Sequence, residues 1–219
     1  MGSMQYRPMA SDAGGVYTLA MDPDLVTARF EAPAALRGLQ VAAGFSAIVR
    51  TEEVVPMFER VLEAGGTITA ALDRGVLIGY AADLPFTPVV WDGGTILRRW
   101  DGLQEVRELG AVEVAAPFRS RGIGRLLMRA IAAGGRLDPY IVIGEALRWH
   151  WDVAASGGDP MEYRRRLVRL LESAGFHRFD TDAPEIGGDA VNFLAARIGG
   201  ATSAASQRAF AEALFQHAA

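Results

Sequence analysis

Apolar positions change their period several times along the chain, and each change marks an element. From Thr51 to Ala64, residues Val54, Val55, Phe58, Val61 and Leu62 recur at helical spacing behind Thr51, Glu52 and Glu53. Gly65-Gly66 closes that run, which predicts a helix. Thr67 to Leu72 and Val76 to Ala82 are short β-type runs joined by Asp73-Arg74-Gly75, and they predict a hairpin with a three-residue turn. Leu84 to Asp101 is rich in Pro, Gly and Trp and is expected to form a loop or irregular insertion. Val106 to Val114 predicts a strand ended by Pro117. Arg121 to Ala133 predicts a helix through Ile123, Leu126, Leu127, Ala130 and Ile131, and Pro139 to Ile143 a short apolar strand. Met161 to Ala174 predicts an amphipathic helix capped by Gly175, Val191 to Ile198 a last strand, and Ser203 to His217 a terminal helix. Ahead of Arg50 the pattern is mixed: Val16 to Met21 and Leu25 to Phe30 suit strands, and Ala34 to Ala42 suits a short helix.

This alternation carries no repeat and no low-complexity linker, so it implies a single α/β (α+β) domain over 1–219, with 1–50 poorly assigned and 105–199 as its core. Met1-Gly2-Ser3 resembles a tag remnant ahead of Met4, without the basic start and apolar stretch of a signal peptide. No apolar run approaches the roughly 20 residues that span a bilayer. The expectation is a cytoplasmic protein with no membrane partner.

Composition narrows the chemistry. The chain has no cysteine, which excludes disulfides, thiolate nucleophiles and zinc–thiolate sites. All 22 basic residues are arginine, so a P-loop lysine and a Schiff-base lysine are excluded, and any anion site must use arginine or backbone N–H groups. A formal net charge of −4 argues against nonspecific nucleic-acid binding, which needs a basic field. No two histidines have metal-ligand spacing, so no metal is expected.

One segment carries a specific chemistry: Val112-Glu-Val-Ala-Ala-Pro-Phe-Arg-Ser-Arg-Gly-Ile-Gly-Arg-Leu-Leu-Met128. A strand runs into a turn, and a helix begins at once. The first amides of a helix have no intrahelical acceptor, and the helix dipole adds about half a positive charge there. Gly122 and Gly124 let a phosphate approach the backbone, while Arg119, Arg121 and Arg125 supply charge that complements a diphosphate. A dinucleotide fingerprint fails because Leu127 stands where its third glycine belongs, and a Walker loop fails for want of lysine. An ordinary strand-to-helix turn remains the plain alternative.

Arg-x-x-Gly-x-Gly after an apolar strand resembles the acetyl-coenzyme A signature of the Gcn5-related N-acetyltransferase (GNAT) superfamily. The resemblance implies a GNAT fold, a central mixed sheet that splays and is flanked by helices. It implies acetyl-coenzyme A as co-substrate, its pantetheine arm paired with backbone near Val112, Glu113 and Val114, and its diphosphate on amides from Arg121 through Gly122, Ile123 and Gly124 to Arg125. Further segments, Glu108 to Val114, Tyr140-Ile-Val-Ile, Arg148-Trp-His-Trp-Asp152, Glu162-Tyr-Arg164, Asp180 to Ile186 and Ala195-Ala-Arg-Ile-Gly199, are similar to the acetoin-utilisation acetyltransferases of the AcuA type. That likeness runs from about Gly79 to the C-terminus and implies a protein substrate, a lysine on acetyl-coenzyme A synthetase, whose acetylation inactivates that enzyme. The alternatives are a small-amine acetyltransferase, or a coenzyme-A-binding protein that inhibits a synthetase by complex formation.

Acetyl transfer needs a neutral amine, and lysine titrates near 10.4, so a proton must be removed. Glu108 stands sixteen residues before Gly124, where histone-type members keep a base; Glu113 is the other candidate, and in a regular strand the two face opposite ways. Many members place a tyrosine acid where this chain has Leu171, leaving Tyr163 as a substitute acid or a packing residue. Trp149, His150, Trp151 and Asp152 follow the short strand and are candidates to line an acceptor channel, with His150 and Asp152 as a relay or as structural partners. The arginine run 164–169 suits a solvated helix face. His177 and His217 receive no role.

Overall fold

The structure, a computed structural model, describes residues 7–8, 17–18, 24–86, 89–91, 94–96 and 99–216. In chain order the strands are β1 (Arg7–Pro8), β2 (Tyr17–Thr18), β3 (Leu25–Phe30), β4 (Gln40–Val41), β5 (Thr67–Asp73), β6 (Val76–Pro85), β7 (Val89–Trp91), β8 (Gly94–Ile96), β9 (Val106–Val114), β10 (Ile141–Ala146), β11 (His177–Phe179) and β12 (Phe193–Ile198). The helices are α1 (Val54–Glu63), α2 (Ile123–Ala132), α3 (Pro160–Glu172), α4 (Pro184–Gly187) and α5 (Ala204–Ala213). The tag-like residues 1–3 and His217 lie outside the described residues.

Where periodicity was clear, the elements form as expected: β9 spans the predicted residues, and α1, α2, α3 and α5 fall within a few residues of theirs; in the mixed N-terminal segment, β3 also spans its expected residues. Three differences have local causes. Arg74 and Gly75 both adopt left-handed backbone (φ 50° and 80°) and Asp73 pairs with Val76, so the hairpin turn has two residues, not three. Arg74 is held in that conformation by Asp24, whose carbonyl and carboxylate accept its N–H and Nε–H. The expected helix at 34–42 shrinks to a 3-10 turn, Pro33–Leu36, because Gly38 takes φ 73° and the chain then enters β4 beside β6. The expected insertion at 84–101 contains structure of its own: β6 continues to Pro85, and β7 pairs with β8 as a two-stranded ribbon.

The chain forms two compact units, residues 1–83 with 111–131 and residues 84–110 with 132–219, so β9 belongs to both. In the first, the order is β1-β2-β3-β5-β6 and then the end of β9, antiparallel from β1 to β6, with β4 parallel to β6. Its core gathers Phe58, Ile68, Leu77 and Tyr80, with Phe58 edge-on to Tyr80 at 4.9 Å. Burial of each such side chain contributes about 1.5–3 kcal/mol. Gly79 lets β6, β9 and α2 meet: a Cβ there would stand 3.1 Å from the Glu113 carbonyl oxygen and 3.3 Å from Ile123 and Leu127.

In the second unit the order is β9-β10-β12-β11, with β9 and β10 parallel and the other pairs antiparallel. Its core centres on Trp100, Ile141, Ile143, Leu194 and Phe210. Trp100 donates from Nε1 to Glu145 at 2.6 Å, which satisfies the polar handle of a fully buried indole. The β9–β10 register runs only from Val106↔Ile141 to Glu108↔Ile143, although β10 continues to Ala146. This is the splayed, mixed sheet that the motif implied.

Candidate active site

In the first unit, β9 ends at Val114 and a 3-10 turn, Ala116–Phe118, leads into Arg119-Ser120-Arg121-Gly122. Ser120 and Gly122 both have left-handed backbone, φ 64° and 81°. For serine this conformation is costly, and left-handed residues in a turn ahead of a helix are a feature of backbone anion nests. The space where a Gly122 Cβ would point is open to 4 Å. The first α2 bond runs from the Leu126 N–H to the Gly122 carbonyl. The amides of Ile123, Gly124 and Arg125 therefore precede the helical ladder and face the chain's entry. Ile123, 4 % exposed, anchors this turn in the core, while Arg121 and Arg125 are exposed. A diphosphate fits this arrangement.

The arginines are used unequally. Arg119 is half-buried and donates from Nε to the Val114 carbonyl at 2.9 Å, bracing the turn against the strand. Arg121 lies over the Phe118 ring at 5.3 Å, with its charge outward. Val112 and Val114 are half-buried.

Glu113 is in a different position from an exposed base. It is 4 % exposed. Its Oε1 accepts N–H bonds from Ser46 (2.9 Å) and Ala47 (2.8 Å), and its Oε2 accepts from the Tyr80 hydroxyl (2.9 Å). Burial, reinforced by the Glu113 charge and by this hydrogen bond, pushes the Tyr80 phenol far above its ordinary range, so it stays a donor. Sequence reasoning missed Tyr80 and the 46–47 amides. The one available signal was a phenol inside the apolar run Leu77 to Ala82, which must find a polar partner.

In the second unit, Glu108 is half-buried on β9. After β10 comes the 3-10 turn Arg148–His150. Its Arg148 N–H donates to Asn192 Oδ1 at 2.8 Å, and Arg148 pairs with Asp189 at 3.2 Å. Asn192, 5 % exposed, donates in turn to the Glu185 carbonyl, so it ties this turn to the 185–192 segment. It too was missed. Trp149 is 64 % exposed and stands edge-on to His150 at 5.9 Å. His150 is exposed as a residue, but packing around its ring lowers its pKa below the ordinary histidine value while the Glu108 charge opposes that shift. Trp151 stacks on Tyr163 (5.3 Å, 20° between planes) and meets Phe193 at 6.4 Å. Tyr163 is thus part of an aromatic stack that packs α3. Asp152 is half-buried and its carbonyl accepts from the Ala155 N–H.

The arginine run is a solvated face: Glu162 pairs with Arg165, Arg166 and Arg169, and only Arg164 turns inward, over Phe193 and onto the Val191 carbonyl. Leu171 is buried. Among the described residues no group of three or more acidic or histidine side chains could hold a metal, and no helix is long and apolar enough to cross a membrane.

Residues 40–136 match the model of the acetyltransferase (GNAT) family. The acetoin utilization protein AcuA of Bacillus subtilis (strain 168) is 32% identical over 154 residues, which cover 69% of this chain and 70% of that protein. AcuA of Bacillus licheniformis is 32% identical over 136 residues, 61% of each chain. The crystal structure of an acetoin utilization protein from Exiguobacterium sibiricum covers 99% of this chain, which covers 97% of it, with a TM-score of 0.78 at 23% identity, a likeness that speaks for the fold. The nest at Ser120–Arg125, the splay after Glu108 and these relatives agree: the chain belongs to the GNAT family, as an acetyl-coenzyme A-dependent N-acetyltransferase related to AcuA.

Proposed function

We propose that this acetyltransferase transfers the acetyl group of acetyl-coenzyme A to the ε-amine of a lysine on a cytoplasmic protein, with acetyl-coenzyme A synthetase as the acceptor that the AcuA likeness suggests. The observation that carries the reading is the helix start at Ile123, whose leading amides follow a turn with left-handed Ser120 and Gly122. That turn follows the strand bearing Val112 and Val114, so a cofactor held at its diphosphate would have its arm directed along β9.

Glu108 is the base in this reading. It lies on the same strand, four residues before Val112 in sequence. It accepts the proton as the amine nitrogen attacks the thioester carbonyl; the C–N bond forms, the C–S bond breaks and the thiolate departs. The chain lacks cysteine, so the transfer is direct, without a covalent acyl-enzyme. A coenzyme A thiolate is a stable leaving group near neutral pH, so Tyr163 keeps a packing role. His150, whose pKa burial lowers while the Glu108 charge opposes that shift, is the group in this reading that passes the proton toward solvent. Trp149, exposed on a pinned turn, offers an aromatic surface to the methylenes of an incoming lysine.

Incubation with acetyl-coenzyme A synthetase and acetyl donor, followed by mass spectrometry, tests this. Acetylation of a synthetase lysine is expected, and Glu108→Gln should lower kcat by about 10²- to 10⁴-fold with little change in KM. Turnover of free amines alone, or inhibition of the synthetase without any acetyl mark, would contradict the reading. The enzyme has no lysine of its own, so no side chain of its own adds to the signal.

A further inference from the structure

Glu113 is the one buried carboxylate on the cofactor strand that the proposed mechanism does not use. Both of its oxygens are engaged, and everything they bind lies in the first unit. The amides of Ser46 and Ala47 converge on a single oxygen, an arrangement normally reserved for a bound anion. The loop they belong to is fixed at several other points. The Ala42 N–H donates to the Leu77 carbonyl, and the Gly44 and Phe45 amides share Thr51 Oγ1. Phe45, 3 % exposed, packs at 5.6 Å from the Tyr80 ring. Gly44 accepts from the Ala116 N–H, and with φ 104° it lies so close to Pro117 that a Cβ would come within 2.8 Å of it. Ala116 and Pro117 begin the turn that delivers Arg119 to Arg125.

We infer that Glu113 is a positioning residue: its carboxylate pins the Gly44–Ala47 loop against the turn that carries the diphosphate nest, so that order in the loop and affinity for acetyl-coenzyme A rise and fall together. This rests on the reading of Ser120–Arg125 as the cofactor site. A base needs a lone pair aimed at the acceptor amine. The Glu113 oxygens are instead directed at two amides and a phenol, and 4 % exposure leaves no path for a substrate nitrogen.

The conservative variant separates the roles. In Glu113→Gln, the side-chain carbonyl still accepts from both amides, while its NH₂ faces the Tyr80 oxygen as a donor, so the loop anchor is kept and only the phenol's own donated bond is lost. It should hold kcat and the KM for acetyl-coenzyme A within about threefold of wild type and keep the low-pH limb of the kcat/KM profile. Glu113→Ala should raise that KM about tenfold or more, with kcat far less affected, the loss expected for charge-assisted bonds. Should the alanine variant fail to fold, Tyr80→Phe removes one bond and should raise the KM by a smaller factor.

Hydrogen exchange at Ser46 and Ala47, without ligand, reads the anchor on its own: slow in wild type and Glu113→Gln, faster in Glu113→Ala or Tyr80→Phe. A collapse of kcat in Glu113→Gln with loss of the low-pH limb would make Glu113 the base and overturn the inference. So would an unchanged KM in the variant that folds, or unchanged exchange at the two amides. If wild type itself did not bind acetyl-coenzyme A, the cofactor-site reading would fall while the exchange result still stood as a test of the pin.

Discussion

At the scale of single residues, close backbone contact decides more than side-chain chemistry. Gly199, after β12, shows this. A Cβ there would stand 2.6 Å from the Leu137 carbonyl oxygen and closer still to that of Asp138, both backbone groups that cannot swing aside. The Asp138 carbonyl is also held by the Ala201 N–H, and Gly199 itself donates to the Tyr140 carbonyl. Gly199→Ala should therefore cost about 2–3 kcal/mol of stability in urea denaturation. Gly200→Ala, where a Cβ would meet open space to 4 Å, should cost under about 0.5 kcal/mol. Equal midpoints for the two variants would contradict this account. Gly199 belonged to a segment read for its family likeness, yet nothing in the sequence said why glycine stood there. The reason is contact with a carbonyl about sixty residues earlier, and such contacts leave no period. Glu113 and Ser46 illustrate the same limit: they are 67 residues apart. By contrast, the strand, turn and helix around 114–132 lie in one continuous stretch, so that local geometry was legible.

At the scale of elements, helix ends carry much of the electrostatic design. Ser203 caps α5 by accepting from the Ser206 N–H. Glu105 adds a second cap: it holds an unusual φ of 55°, its carboxylate accepts from the Ser203 N–H at 2.7 Å, and its carbonyl accepts from Ile141 at the start of β10. The Ser203 amide, with side-chain bonds from Ser206 and Ser203, holds the Glu105 carboxyl below its usual pKa. Glu162 is likewise lowered, by Arg166 and Arg165, and Asp189 by the Val191 amide and Arg148. All three bind protons more readily in the unfolded chain than in the folded one. Their stabilisation is present above the ordinary carboxylate range and is lost as pH falls through the lowered native values. Exchange of the α5 amides should accelerate as pH drops below about 4, after correction for intrinsic rates, and Glu105→Gln should flatten that dependence. An identical pH dependence in the variant would contradict the cap. Short elements were the ones hidden from the sequence. The β7–β8 ribbon and β11 have three residues per strand, too few for an alternating pattern to register. The Arg74–Gly75 turn was placed correctly but given one residue too many, because only pairing of Asp73 with Val76 reveals its length.

At the scale of the whole molecule, the two compact units each have their own core, and β9 runs through both. The proposed cofactor nest lies in residues 111–131 of one, and the Arg148–Asp152 segment in the other. A chain of net charge −4 without lysine must hold an anionic cofactor by local means. In the site proposed above, bare amides and a few arginines at one helix start would supply them, in place of a broad basic field. Isothermal titration of acetyl-coenzyme A into wild type and Gly124→Glu tests that most directly. The account predicts measurable binding by wild type and at least about a hundredfold weaker binding by the variant, since a carboxylate would occupy the phosphate's place among the leading α2 amides. Equal affinity in the two proteins, with the variant's circular dichroism intact, would contradict it.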